Sequence, residues 1–306
     1  MPFRHFSDVL VVTHHRQDVT TVRIANLSGR AVLTDGHRAV DVHTASAGRF
    51  GPDLPGVYAE WPAFTAWAAA ANPTSGADPT SGDGFDVRDL GAPSPAPSQV
   101  FAIGLNYRDH AAETGLDAPD APPTFTKFAS CLTGPETDLR LPTDTVDWEV
   151  ELVAVIGREA TAVTAADAWK HVAGLTVGQD FSERTSQMAG PAPQFSLAKS
   201  HPGFGPTGPW LVTPDEFADP DDLAIECAID GETVQSGRTS QMMFPVADLI
   251  AHLSAVCTLR PGDIVFTGTP AGVGVGRSPQ RFLAPGNVVT TRIEGIGALV
   301  QRCVAG

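Results

Sequence analysis

The chain has 306 residues, 42% hydrophobic and 18% charged, and its 20 basic against 35 acidic side chains leave a formal charge of −15. That is enough apolar material for a sizeable core in one or two domains, which excludes a disordered chain. The acidic excess argues against nucleic acid and anionic membrane as partners, and no apolar run approaches the roughly 20 residues that span a bilayer.

The first residues, Met1 to Phe6, lack a basic-then-apolar leader, so a cytoplasmic protein is expected. Residues 19–24 and 30–35 read as short strands. Asp35-Gly36 is a tight-turn signal before a third apolar stretch at 39–42, and residues 64–71 look helical. Residues 1–70 thus read as a small β-rich module without evident chemistry. Residues 71–98 hold five Pro, four Gly and four Ser, with a short tandem at 72–76 and 78–82, and read as a surface linker.

The larger part, 99–306, opens with a strand at 100–104 and a short helix at 108–114. Buried strands follow at 150–156 and 174–180, with a helical stretch at 165–172 between them. A hairpin spans 223–234 around Asp230-Gly231. A helix at 246–256 and strands at 263–267 and 288–293 complete the pattern. Strands dominate without βαβ alternation, which predicts an α+β or mostly-β core rather than a doubly wound fold. Cys131, Cys227, Cys257 and Cys303 form no Cys-x-x-Cys pair, so inert thiols are expected rather than zinc ligands or disulfides.

The sharpest chemical signal is Glu149-Val150-Glu151. Residues two apart on a strand share a face, so the two carboxylates stand side by side at the head of an apolar run. Buried, they would repel unless a cation sat between them; alternatively they face solvent or pair with arginines. Asp180 ends the next strand, and three carboxylates without a His or Cys partner suit Mg²⁺ or Mn²⁺, with Ca²⁺ a further option. His110 and Glu113 are three apart, so on a helix they share a face. Such a pair is either a solvated helical contact or a carboxylate-oriented general base. The Asp/Pro/Ala-rich stretch after it, 115–123, is a candidate lid.

Lys199 closes a Ser-x-x-Lys string, but no Lys-Thr-Gly accompanies it, which removes a serine acyltransferase reading. The glycines of 268–276 match neither phosphate-loop nor dinucleotide spacing and read as a tight turn that can approach a small ligand.

These strings, in order, resemble the fumarylacetoacetate hydrolase family over 100–306. They are the run from Ile103 to Glu113, Phe125-Thr126-Lys127, Gly134-Pro135, Glu149-Val150-Glu151 into Val155-Ile156-Gly157, and Asp180-Phe181-Ser182-Glu183-Arg184. Lys199-Ser200, Gly208-Pro209-Trp210, Pro261-Gly262-Asp263 and Thr267-Gly268-Thr269-Pro270 follow. The wording around Asp180 and Lys199 resembles bacterial members that cleave 2,4-diketo-3-deoxy sugar acids. The resemblance implies an α+β fold with a mixed β-sandwich roll core, a homodimer, and metal ligands Glu149, Glu151 and Asp180. It places His110, Glu113 and Lys199 in catalysis, and Tyr107, Arg108, Arg184, Gln187, Gly268 and Thr269 at the substrate. The activity it implies is metal-dependent hydrolysis of a C–C bond in a 2,4-dioxo acid, giving pyruvate and a carboxylic acid. The alternative is decarboxylation or keto–enol tautomerisation of oxaloacetate-like acids. Glu183, His201-Pro202 and Phe128 depart from the wording of many members and bear on substrate identity.

Overall fold

A computed structural model describes residues 23–70 and 78–306. Residues 19–22 of the first expected strand, and the first copy of the tandem, lie outside the described residues.

The strand Val150–Ile156 is buried at every position because both of its faces are covered. Leu152, Ala154 and Ile156 join one core, and Val153 and Val155 join another. A strand covered on both faces reads as a continuous apolar run, as this one does. It pairs antiparallel with Val172–Gln179 on one side and Ile264–Phe266 on the other. Val100–Ile103 lies parallel to Ile264–Phe266, and Thr124–Thr126 lies along it at the edge.

In the other direction Val172–Gln179 pairs with Gly205–Val212, and that strand pairs with Arg23–Leu27 of the N-terminal module. Arg30–Thr34, Arg38–Asp41 and Asp83–Gly84 continue the same twelve-stranded sheet. A second sheet of five strands packs on one face, with Trp148, Leu152, Val177, Ile225, Val289 and Leu299 in the shared core. The helices Leu54–Ala59 and Trp61–Ala69 cover the opposite face, burying Trp61 and Phe64 against Val153, Val155 and Phe266. Mixed sheets with few helices give the expected α+β class.

Three differences from the sequence reading have physical causes. Gly205–Val212 holds two Pro and two Gly and gives little strand signal, yet it joins the module to the central sheet. Strand formation there follows from its neighbours, not from intrinsic preference. The expected helix at 165–172 stops after Ala165–Ala168 and tightens to a 3₁₀ turn, Trp169–His171, before the next strand. Residues 78–98, read as a linker, are laid down as a strap. Leu90–Gly91 pairs with Asn26–Leu27. Tyr58 Oη donates to Pro93 O at 2.9 Å, and Ser94 Oγ donates to Gly262 O at 2.5 Å. Hydrogen bonds to its backbone and the burial of Leu90 against Ala25 and Val32 order this segment. All four cysteines are free. Among the described residues no helix is long and apolar enough to cross a membrane.

Candidate active site

Antiparallel pairing of Val150 with Gln179 brings the start of one strand beside the end of its neighbour. Asp180 N–H donates to Glu149 O at 2.9 Å, which fixes their relation. One carboxylate oxygen each from Glu149, Glu151 and Asp180 lies within 4.8 Å of the others, and all three side chains are buried.

The three are unequally compensated. Glu149 accepts from Arg184 Nη2 at 2.8 Å and Lys199 Nζ at 2.6 Å. Burial acts to raise its pKa, but the charges of Lys199 and Arg184 outweigh it and hold the carboxyl low. Asp180 accepts from Lys127 Nζ at 2.7 Å and Lys199 Nζ at 2.6 Å. Glu151, 1% exposed, makes no ion pair among the described residues; Gly268 N–H donates to its Oε2 at 2.7 Å. Burial, reinforced by repulsion from Asp180 and Glu149, pushes its carboxyl well above the ordinary range. A buried oxygen cluster with one uncompensated member fits a hard divalent cation held by all three.

Gly268 is required where it stands. Its φ is +97°, and a Cβ would come 2.6 Å from Asn106 Cβ. Asn106 pins this turn by donating to Thr267 O at 2.7 Å and Phe244 O at 3.0 Å.

Arg108–Glu113 is helical, and its three-residue spacing sets His110 Nδ1 2.8 Å from Glu113 Oε1. The other oxygen of Glu113 accepts Gly272 N–H at 2.8 Å, so the imidazole is oriented from a turn far along the chain. A carboxylate at Nδ1 favours the tautomer with the proton there, which leaves Nε2 as an acceptor.

The short helix Arg184–Gln187 is capped by Glu183, whose carboxylate accepts Thr185 N–H at 3.0 Å and Ser186 N–H at 2.8 Å. The departure noted at Glu183 therefore supports the turn that carries Arg184. Arg184 also donates to Asp147 Oδ2 at 2.8 Å and Gln187 Oε1 at 2.9 Å.

These groups form the floor of a cavity of about 600 Å³ lined by His110, Glu149, Glu151, Arg184, Gln187, Lys199 and Thr269. Thr269 also fastens its own turn: its hydroxyl donates to Val150 O and accepts from Gln235 Nε2, both at 2.8 Å. Tyr107 and Arg108, expected at the substrate, line a second concavity of about 280 Å³. Leu116 and Pro123 of the candidate lid stretch line the main cavity.

Sequence reasoning assigned no role to Lys127, Asp147 or Gln235. Lys127, 2% exposed, also donates to the carbonyls of Lys199 and Phe204. Asp147 accepts Gly274 N–H at 2.7 Å and Val275 N–H at 2.9 Å besides Arg184. It continues the alternation of Glu149 and Glu151 two residues earlier, a signal that was available. No local pattern marks Gln235.

A family profile described as the fumarylacetoacetate (FAA) hydrolase C-terminal region matches residues 99–304. The chain is 46% identical over 215 residues to the human oxaloacetate tautomerase FAHD2A, mitochondrial, covering 70% of this chain and 68% of that protein. Among solved structures, a candidate HpcE protein of Mycobacterium smegmatis is 54% identical with a TM-score of 0.87, covering 93% of this chain and 99% of the other. The fumarylpyruvate hydrolase of Pseudomonas aeruginosa, solved with Mn²⁺ and pyruvate, is 32% identical with a TM-score of 0.63, covering 69% of this chain and 91% of the other.

Proposed function

The chain belongs to the fumarylacetoacetate hydrolase family, and we propose that it is a divalent-cation-dependent hydrolase of 2,4-dioxo acids, releasing pyruvate and a carboxylic acid. The observation that carries this reading is that His110, bonded to Glu113, lines the same cavity as Glu149 and Glu151, the two carboxylates that cluster with Asp180. A base and a cation site facing one space are what attack by water on a chelating dioxo acid requires.

Glu149, Glu151 and Asp180 would hold Mg²⁺ or Mn²⁺, and the bound ion would supply stabilisation for negative charge on a 2-oxo acid. His110 Nε2 takes a proton from water as its oxygen adds to the C4 carbonyl. Glu113 stabilises the imidazolium that forms. The C3–C4 bond then breaks, C4 becomes the carboxylic acid, and the electron pair stays on C3 as a pyruvate enolate. Lys199, 2% exposed and beside Glu149 and Asp180, presents its ammonium to that charge. Protonation at C3 gives pyruvate. Arg184, Gln187 and Thr269 serve the substrate's carboxylate end. The proposed setting is a cytoplasmic homodimer.

The 46% identity to an oxaloacetate tautomerase favours a second reading, in which His110 moves a proton at C3 and no water adds. Release of pyruvate from an acylpyruvate, measured with Mg²⁺, with Mn²⁺ and after chelation, tests the first reading. Enol-to-keto conversion of oxaloacetate without pyruvate release from any acylpyruvate would replace it with the second.

A further inference from the structure

The cavity is divided between a charged floor and apolar walls. Its charged lining groups are His110, Glu149, Glu151, Arg184 and Lys199, all gathered at the carboxylate cluster and all already engaged. Beyond Lys199 the lining changes character. Its Nζ sits 5.1 Å over the Phe125 ring, and Phe125 meets Phe195 edge-on at 5.6 Å and 71°. Leu105, Leu116, Met188 and Val275 complete the apolar part. Leu116 is 55% exposed and Met188 62% exposed, so two large apolar side chains stand open to water at the cavity mouth. The remaining polar lining groups there, Thr114, Thr124 and Gln194, carry no charge.

We propose that this site selects 2,4-dioxo acids whose acyl half is uncharged and apolar, with Leu116, Met188, Phe125 and Phe195 as the residues that set the preference. The proposal rests on the family's 2-oxo acid head binding at the floor, as in the reading above. With the head there, the acyl half extends over Phe125 toward Met188. Its burial removes apolar surface of both partners from water. A terminal carboxylate in that half would lose its hydration against hydrocarbon, and the cations that line the cavity, Arg184 and Lys199, are already paired at the floor. The acidic side chain next to Leu116, Asp117, is exposed and offers only repulsion. A four-carbon diacid would also leave most of the 600 Å³ unfilled.

The test uses the full chain loaded with Mg²⁺. Pyruvate release is measured for two 2,4-dioxo acids of equal length, one ending in an alkyl chain and one in a carboxylate. The alkyl compound should lead by about 100-fold or more in kcat/KM. Met188→Arg, and separately Leu116→Lys, supply the missing cation at exposed positions and should each shrink that ratio by about 10-fold or more. Calorimetric titration with 2-oxooctanoate and 2-oxooctanedioate, which lack the cleavable 4-oxo group, reads the preference without turnover. Tighter binding of 2-oxooctanoate with no pyruvate from either dioxo acid would sink the hydrolase reading and sustain this one. Equal or tighter binding of the diacid, or a ratio that neither variant moves, overturns the selectivity proposed here.

Discussion

The two halves of one strand face show what each part of the molecule contributes. By alternation Glu149, Glu151, Val153 and Val155 share a side of the central strand. The first pair ends in the cavity among Arg184, Lys199 and the Gly268 turn. The second pair lies under Trp61 and Phe64 of the N-terminal module. The backbone is the same; the cover differs. Where the module's helices reach, the face is apolar and buried. Where they stop, the face carries charge and meets a cavity. The helices Leu54–Ala59 and Trp61–Ala69 thus support the strand that carries the two glutamates.

The largest way to break this comparison is to remove charge at the open end. Glu149→Gln and Glu151→Gln should each cut the rate by about 10³-fold or more, because either change dismantles the cation site. Their thermal stabilities after chelation should move in opposite directions. Glu151→Gln relieves an uncompensated carboxylate and should raise Tm, whereas Glu149→Gln takes a partner from both Arg184 and Lys199 and should lower it. Parallel shifts would contradict the unequal compensation of the cluster.

His110→Ala sharpens the comparison within the open end. Pyruvate release from an acylpyruvate should fall by roughly 10²–10⁴-fold, the contribution of a placed base. Any metal-dependent decarboxylation of oxaloacetate should fall far less. Equal losses would make His110 a substrate-positioning residue rather than the base for water.

At the covered end, Phe64→Ala should destabilise by about 3–5 kcal/mol, since Phe64 is fully buried. Denaturant midpoints measure this. The same variant should keep kcat and KM at saturating cation below its unfolding temperature; a lost rate there would mean the cover does more than support.

The smallest effect lies where the module meets the catalytic part. Burial pushes the Glu216 carboxyl up to about 7 from its ordinary 4.5, although Arg23 lies 3.3 Å away. The folded state therefore holds this proton more tightly than the unfolded one, and stability falls as pH rises from about 5 to 7. Glu216→Gln should be more stable than the parent by about 1–2 kcal/mol at pH 8, with the difference shrinking as pH falls from about 7 to 5. Thermal melts across that range would decide it.

What was legible in the sequence lies within single elements. Alternation marked Glu149 and Glu151 and the buried strand that carries them. Helical spacing marked His110 and Glu113, and Asp230-Gly231 marked the hairpin Ala224–Ile229 to Glu232–Arg238. Periodicity and turn chemistry are local, so one stretch of chain determines them. Its place at a strand end marked Asp180, and resemblance to a family added the role expected of Lys199, which no local rule selects. Only the tertiary structure decided the rest. Gly205–Val212 becomes a strand because Arg23–Leu27 and Val172–Gln179 flank it. Lys127 reaches Asp180 across 53 residues, Arg184 reaches Asp147 across 37, and Gly268 reaches Glu151 across 117. The floor's charge balance and the walls' apolar character both arise from side chains on different elements. Packing alone sets which of them meet, because contacts between distant segments leave no period in the sequence.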